Sequence, residues 1–277
     1  EMTSREDLMN AISLNSSAFN CARIIGPSIA GLLMAHVGIA LCFLFDGLSF
    51  IPVIAGLLLM RLPKKQGHIV SDSGPICQAL EGFRYVWSHR RVLTILSLFT
   101  VVGIFGWSYS VLMPAFAHDV LHLGASGYGL LMAGSGVGAL AAALTVASAG
   151  HMLPTRTMSL GGLWIFSVAL VLFAFNKNLY VGVILLAIVG FGVVLYFSTS
   201  NTVLQSIVPD EMRGRVMGIW ALIFGGMIPL GSLEAGLMAD FIGTPATMAM
   251  GALICALAAF VTLQVIRKRE AQLADAG

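Results

Sequence analysis

Long apolar segments recur along the whole chain, and they restrict the possible fold more than any other feature of the sequence. A helix needs about 20 apolar residues to cross a bilayer, and it satisfies its own backbone hydrogen bonds there. Eight segments come near this length, and no alternation typical of a membrane β-barrel is present. We therefore predict an all-α membrane protein with spans at 14–36, 39–60, 92–114, 127–149, 157–175, 179–206, 216–241 and 245–266.

The composition agrees with this prediction and argues against a soluble protein. Only 10% of the 277 residues are charged and 58% are hydrophobic, whereas soluble domains carry about 25% charged residues. The four cysteines have no paired spacing, so we expect neither a disulfide framework nor a zinc site. We expect no cofactor and no nucleic acid partner.

Several short motifs resemble binding sites, but their spacing favours a structural role. Gly134-x-x-x-Gly138 lacks the Gly-Lys-Ser/Thr of a nucleotide loop and predicts close helix packing. His118 and His122 flank Asp119 but lack further ligands, so we expect no metal. No catalytic motif is apparent, and the sequence does not predict an enzyme.

The basic residues predict the orientation of the chain in the membrane. If eight spans alternate, one side receives nearly all lysines and arginines outside the spans, and Lys177 alone falls opposite. Basic residues concentrate in cytoplasmic loops. We therefore expect both termini of this chain and the connection 61–91 to be cytoplasmic.

The connection 61–91 contains a helical pattern of apolar residues. Ile76, Leu80, Phe83 and Trp87 recur with helical spacing, which predicts an amphipathic helix on the membrane surface. The alternative is a plain solvated linker.

The first span combines a helix break with a charge. The Gly26-Pro27 pair interrupts helical hydrogen bonding, and Arg23 places a cation near the middle of the span. The polar or small residues Asn20, Arg23, Pro27 and Gly31 share one face of this helix. This face is either a protein-facing seam of a transporter or an ordinary packing face with a snorkelling or internally paired arginine.

A weak internal repeat suggests how the spans are grouped. Residues 30–38 match residues 235–243 at four of nine positions, so spans one and two correspond to spans seven and eight. A repeat unit then has six helices. We expect residues 1–60 to be the last two helices of an N-terminal bundle, 61–91 a cytoplasmic linker, and 92–277 a complete six-helix C-terminal bundle.

Four segments of the chain carry a resemblance to a known family, and they are Asn10–Ser16, Asn20–Gly31, Cys42–Phe50 and Pro209–Gly218. They resemble bacterial exporters of the major facilitator superfamily, in the branch of the enterobactin exporter and of macrolide and multidrug efflux proteins. The similarity covers essentially the whole chain, as helices five to twelve of twelve. The break at Gly26, Pro27 and Gly31 is similar to an antiporter signature, with Ala30-Gly31 in place of its final Gly-Gly.

The resemblance implies a multi-pass protein of the bacterial inner membrane that exports a small amphiphilic compound. Such a drug-like molecule or siderophore would be exchanged for protons by alternating access, and we expect a monomer in the lipid bilayer. The alternatives are a non-transporting membrane receptor, a truncated transporter relic and a membrane-embedded enzyme.

Ionisable residues within spans are the first candidates for the mechanism, because they are costly in lipid. Glu234 and Asp46 are candidates for proton exchange, with Arg23 as a possible charge partner. The alternative is a cap at Asp46 and a structural hydrogen-bond partner at Glu234.

Polar and aromatic residues within spans are the second group of candidates. By the resemblance, spans three and six line the central cavity, which suits an amphiphilic substrate. The alternative is interfacial anchoring and interhelical hydrogen bonding. These cavity candidates are Trp107, Tyr109, Ser110, Tyr196, Ser198 and Asn201. The resemblance also implies that Arg213 and Arg215 belong to a cytoplasmic gating loop.

Overall fold

The computed structural model describes residues 39–59, 75–149 and 154–274, and these residues form helices joined by short connections. The helices are α1 (Ile39–Leu59), α2 (Pro75–Ser88), α3 (Arg90–Val101), α4 (Ser108–Ala115), α5 (Ala125–Ala149), α6 (Thr155–Ala174), α7 (Leu179–Ile207), α8 (Asp210–Ile242) and α9 (Thr244–Ala274). No strand occurs in these three ranges. The predicted all-α class is therefore confirmed for the part of the chain that is described.

Six helical segments are long and apolar enough to cross a membrane. They are Arg90–Val120, Ala125–Val146, Thr155–Ala174, Leu179–Ile207, Asp210–Ile242 and Thr244–Lys268, and they match the last six predicted spans. Helix α1 covers the predicted span 39–60 and includes a shorter apolar stretch, Leu44–Leu59. The predicted span 14–36 lies outside the described residues.

The first of these six segments contains two π-helical turns, and the second of them carries the helix beyond the predicted span 92–114 to Val120. One turn, Val102–Gly106, joins α3 to α4, and the other, Phe116–Val120, follows α4. A π turn widens the helix locally by one residue and displaces its carbonyl groups. Glycines on α8 and α9 leave room for this turn. A Cβ atom at Gly231 would lie 2.5 Å from the Ile104 carbonyl oxygen, and one at Gly251 would clash with the Phe105 carbonyl oxygen.

Close backbone contacts along α7 hold α5 and α6 against it. The predicted packing role of Gly134 and Gly138 is confirmed, because both glycines of α5 face backbone atoms of α7. A Cβ atom at Gly134 would lie 2.6 Å from the Val183 carbonyl oxygen. On α6, a Cβ atom at Gly162 would lie 2.9 Å from the Gly192 carbonyl oxygen. Small residues allow such close approach where lipid provides no hydrophobic drive for helix association.

Helix α2 packs against the beginning of α8. Gly82 lies close to α8, because a Cβ atom added to it would lie 3.2 Å from the Arg215 Cβ atom. Val86 is buried in the small core that α2 forms with α3, α7 and α8. The apolar side chains of Leu80, Phe83 and Trp87 remain exposed. The described residues therefore leave this predicted apolar face uncovered, and its contact with lipid stays a prediction.

Candidate functional site

Five aromatic rings from α3, α7, α8 and the α3–α4 junction meet on one side of the bundle. We call Phe99, Trp107, Phe197, Trp220 and Phe224 the aromatic cluster. Phe99 stacks on Trp220 at a centroid distance of 3.5 Å, and the Trp107 ring lies 6.0 Å from both Phe197 and Phe224. Phe99 is buried whereas Phe224 is 42% exposed, so the cluster has a packed base and an accessible edge.

Polar side chains continue this surface along α7. Asn201 follows Phe197 by one helical turn, and the Gln205 side-chain amide donates a hydrogen bond of 2.5 Å to the Asn201 Oδ1 atom. Asn201 and Ser198 are half-buried and Gln205 is exposed. Because residues separated by four positions share a helix face, aromatic and amide groups form one amphiphilic surface.

Glu234 lies on α8, three residues beyond the glycine that contacts the π turn. It is half-buried, and no described residue forms a hydrogen bond or an ion pair with its carboxylate. Asp46 is exposed on α1, where the Ser49 hydroxyl donates a hydrogen bond to its backbone carbonyl oxygen. Arg23, the third proton-coupling candidate, lies outside the described residues, as does the predicted helix break at Gly26, Pro27 and Gly31.

The six predicted cavity residues separate onto different faces. Trp107 belongs to the aromatic cluster, and Asn201 follows the cluster residue Phe197 by one turn of α7. Ser198 is half-buried on the same helix. Tyr109 instead lies in the core, where its ring meets the Phe166 ring of α6 edge-on at 5.9 Å. Ser110 is half-buried on α4.

Tyr196 turns to the opposite side of α7 from Asn201, since five residues correspond to about 140° of helix rotation. It is 1% exposed and lines a partly open cavity of about 510 Å³. Its hydroxyl group has no hydrogen-bond partner among the described residues.

This cavity lies between the ends of four helices. Its lining comes from the beginning of α3 (91–98), the beginning of α6 (155–160), the last turns of α7 (196–207) and residues 262–266 of α9. A hydrogen bond of 2.8 Å between the Ser159 and Ser200 hydroxyls joins α6 to α7 at its wall. On α7 the cavity and the aromatic cluster use different faces, whereas on α3 Ile95 lines the cavity and also packs against the core that contains Phe99.

The two arginines of the predicted gating loop make different contacts. Arg213 lies 2.6 Å from an Asp210 carboxylate oxygen and donates a hydrogen bond of 3.1 Å to the Gln205 carbonyl oxygen, which fixes the α7–α8 turn. Arg215 forms an ion pair of 2.8 Å with Glu81 and so attaches α2 to α8.

No group of three or more histidine, cysteine, aspartate or glutamate side chains suited to a metal occurs within 39–59, 75–149 and 154–274. His118 Nδ1 lies 2.7 Å from the neighbouring Asp119 carboxylate, and both side chains are exposed.

Sequence reasoning missed Phe197 and Phe224, although both carry a recognisable signal. Phe197 precedes Asn201 by four residues, and Phe224 follows Trp220 by four residues. Each pair therefore lies on one helix face. What the sequence could not supply was which faces of α3, α7 and α8 meet.

Comparison with known proteins gives consistent matches over most or nearly all of the chain. Residues 1–276 match the family described as transmembrane secretion effector, a major facilitator family. The multidrug efflux pump Tap of Mycolicibacterium fortuitum is 31% identical over 97% of this chain and 66% of its own length. The enterobactin exporter EntS of Shigella flexneri is 30% identical over 79% of this chain and 51% of its own length.

A further relative is the staphyloferrin A transporter of Staphylococcus aureus, which is 26% identical over 90% of this chain and 62% of its own length. The chain thus spans about two thirds or less of the length of these relatives. The resemblance to major facilitator exporters that the sequence predicts is confirmed. The chain belongs to the transmembrane secretion effector family of the major facilitator superfamily.

Proposed function

We propose that this protein exports a small amphiphilic compound, either a drug-like molecule or a siderophore, across a bacterial inner membrane. Efflux of drugs and transport of siderophores are the activities named for the relatives. The proposed mechanism is alternating access, in which proton entry drives the substrate outwards.

The observation that carries this proposal is the amphiphilic surface on α3, α7 and α8. The exposed edge of Phe224 and the ring of Trp107 offer an apolar wall, while Asn201 and Gln205 offer hydrogen-bond donors and acceptors beside it. Binding sites for organic molecules combine apolar and aromatic walls with a few polar groups in this way. An amphiphilic cargo satisfies both parts of the surface.

The arrangement of two bundles is part of the same proposal. Residues 92–277 would form one bundle, and residues 1–60 would belong to the opposing bundle, with 61–91 as a cytoplasmic linker. The apolar length of α1 supports a position within the membrane for residues 39–59. The excess of basic residues on one side supports cytoplasmic termini for this chain. The protein is proposed to work as a monomer.

Proton coupling is assigned to Glu234, with Asp46 and Arg23 as further candidates. A carboxylate within an apolar span is costly unless it is paired, hydrated or protonated. The described residues provide no paired group for Glu234, so it is suited to alternate between a protonated and a charged form. Arg213 and Arg215 would act at the cytoplasmic gate through their contacts with the α7–α8 turn and α2.

The test is substrate uptake into inside-out membrane vesicles that contain the full-length protein. A panel of dyes, macrolides and siderophores is measured with an imposed proton gradient and after a protonophore collapses it. We expect uptake of at least one compound, and we expect that uptake to disappear without the gradient. Uptake that persists without the gradient contradicts proton coupling, and absence of uptake and of substrate-induced proton release contradicts transport of this panel.

A further inference from the structure

The 510 Å³ cavity between the ends of α3, α6, α7 and α9 contains a buried polar group that the proposed transport surface does not use. The Tyr196 side chain is 1% exposed and lines this cavity, and its hydroxyl has no hydrogen-bond partner among the described residues. Native proteins pair nearly all of their buried polar groups, because an unpaired one costs free energy. The cavity volume lies within the range of small-molecule sites, roughly 300–1,000 Å³. The unpaired hydroxyl therefore points to a ligand with a hydrogen-bonding atom.

Tyr196 lies at the inner end of the cavity. Ile207, the last residue of α7, lines the cavity as well, and residues 196–207 extend about 16 Å along the helix axis. The hydroxyl is thus reached only by a molecule that enters between the four helices.

A second hydroxyl group lies beside the first. Ser200 follows Tyr196 by one helical turn on the same face of α7, and it is 4% exposed. A hydrogen bond of 2.8 Å joins its hydroxyl to that of Ser159 on α6. Only one of the two serine hydroxyls donates in this bond, so the other one keeps its proton. The inner end therefore offers two O–H donors, and the Tyr196 donor is the one without any partner.

The remaining wall favours an uncharged ligand. Leu98, Leu160 and Val203 contribute apolar surface to it. Among the described lining residues only Arg91 and Arg156 are charged, and each is the second residue of its helix, near the mouth. Arg156 already has a partner of its own. Because a buried charge without a partner is costly, the inner end suits a neutral molecule.

We propose that this cavity binds an uncharged ketone, whose carbonyl oxygen accepts a hydrogen bond from the Tyr196 hydroxyl. A carbonyl oxygen has two lone pairs, so the free proton of the Ser159–Ser200 pair can be donated to the same atom. The apolar body of the ligand lies between α3, α6, α7 and α9, where the wall removes it from water. This site goes beyond the proposed export function, because its ligand need not be a transported one.

The experiment is photolabelling of the full-length protein in phosphatidylcholine nanodiscs with benzophenone, an uncharged ketone. We expect it to label peptides that contain 91–98, 155–160, 196–207 or 262–266. The competitors are dicyclohexyl ketone and dicyclohexylmethane, which carry the same rings and differ in the carbonyl group. The measured quantity is the ratio of the hydrocarbon concentration to the ketone concentration at half-maximal competition. Because lipid takes up each competitor equally in all samples, a change in this ratio between variants reports on the site alone.

Variants separate the hydroxyl from the cavity itself. Tyr196→Phe keeps the ring and removes the donor, and it should lower the ratio roughly 3- to 10-fold, as expected for loss of one hydrogen bond. Tyr180→Phe is the matched control, since Tyr180 is exposed on the same helix outside the cavity, and the ratio should not change. Val203→Trp should block labelling by filling the cavity while the Tyr196 hydroxyl remains. A thermal unfolding midpoint checks that each variant is folded.

Three results would overturn the proposal. An unchanged ratio in folded Tyr196→Phe would exclude a hydrogen bond from this hydroxyl to the ketone. Labelling that excess dicyclohexyl ketone does not reduce would mean that the cavity holds only solvent. Labelling confined to segments other than these four would place the ketone elsewhere.

Transport is measured separately in the vesicle assay. Loss of export with intact competition at the cavity therefore counts against the proposed function alone. The reverse result counts against this site alone.

Discussion

At the scale of single residues, Phe224 offers the most direct test of the amphiphilic surface. Its ring is half-exposed at the edge of the aromatic cluster, where a substrate can stack on it. We expect Phe224→Ala to raise the substrate concentration for half-maximal uptake by roughly 3- to 10-fold, since an aromatic contact contributes about 0.5–1.5 kcal/mol. Phe241→Ala is the matched control, because Phe241 is exposed on the same helix outside the cluster. Equal effects of both substitutions would show that the cluster does not bind substrate.

Glu234 can be tested by separating proton coupling from substrate movement. Glu234→Gln keeps the size of the side chain but removes the group that releases a proton. We expect uptake driven by the proton gradient to be lost, whereas exchange of labelled for unlabelled substrate without a gradient should continue. Asp240→Asn is the control, because Asp240 is an exposed carboxylate near the end of the same helix. Gradient-driven uptake by Glu234→Gln at the normal rate would exclude this residue as the coupling group.

At the scale of helices, close packing of α6 on α7 predicts opposite outcomes for two adjacent glycines. A Cβ atom at Gly162 would lie 2.9 Å from both the Gly192 carbonyl oxygen and the Tyr196 amide nitrogen, whereas one at Gly161 would meet nothing within 4 Å. Gly162→Ala should lower the free energy of unfolding by roughly 1–3 kcal/mol through overpacking. Gly161→Ala should leave it unchanged or raise it, since alanine favours a helix by up to about 1 kcal/mol. Thermal unfolding in detergent measures both, and similar midpoints for the two variants would contradict the packing.

The positions of the spans were predictable from the sequence, whereas the π turn at Val102–Gly106 was not. Apolar length alone indicates where a helix crosses the membrane, and the last six predicted spans match the structure. The π turn depends on Gly231 and Gly251, which lie far along the chain on two other helices. A local pattern around residue 104 carries no information about these contacts.

The candidate site was predictable in its parts and not in its assembly. The sequence indicates that Trp107 and Asn201 are unusual within apolar spans. The surface that each residue faces depends on its depth in the membrane and on the rotation of its helix about the helix axis. Tyr196 shows this limit, because it is only one position from Phe197 and lies on another face of α7. Tyr109 shows the same limit, since its ring packs against α6 in the core.

At the scale of the whole molecule, the helix ends can be assigned to the two sides of the predicted membrane. The Glu81–Arg215 ion pair places α2 beside the beginning of α8, and the cavity brings together the ends of α3, α6, α7 and α9. Lys177 lies in the turn between α6 and α7, at the other end of these helices. The charge distribution predicts that the first side is cytoplasmic and that the Lys177 turn is external.

Accessibility of single cysteines to a membrane-impermeant maleimide tests this orientation. Cys77 is exposed on α2 and serves as a native reporter once Cys21 and Cys42 are replaced by serine and the buried Cys255 by alanine. We expect Cys77 to react in inside-out vesicles and not in intact spheroplasts. In the same background with Cys77→Ser, Lys177→Cys should show the reverse pattern, because it lies one membrane crossing away from each neighbouring cytoplasmic turn. Reaction of both positions from the same side would mean that the spans do not alternate as predicted, and the assignment of inward and outward helix ends would then fail.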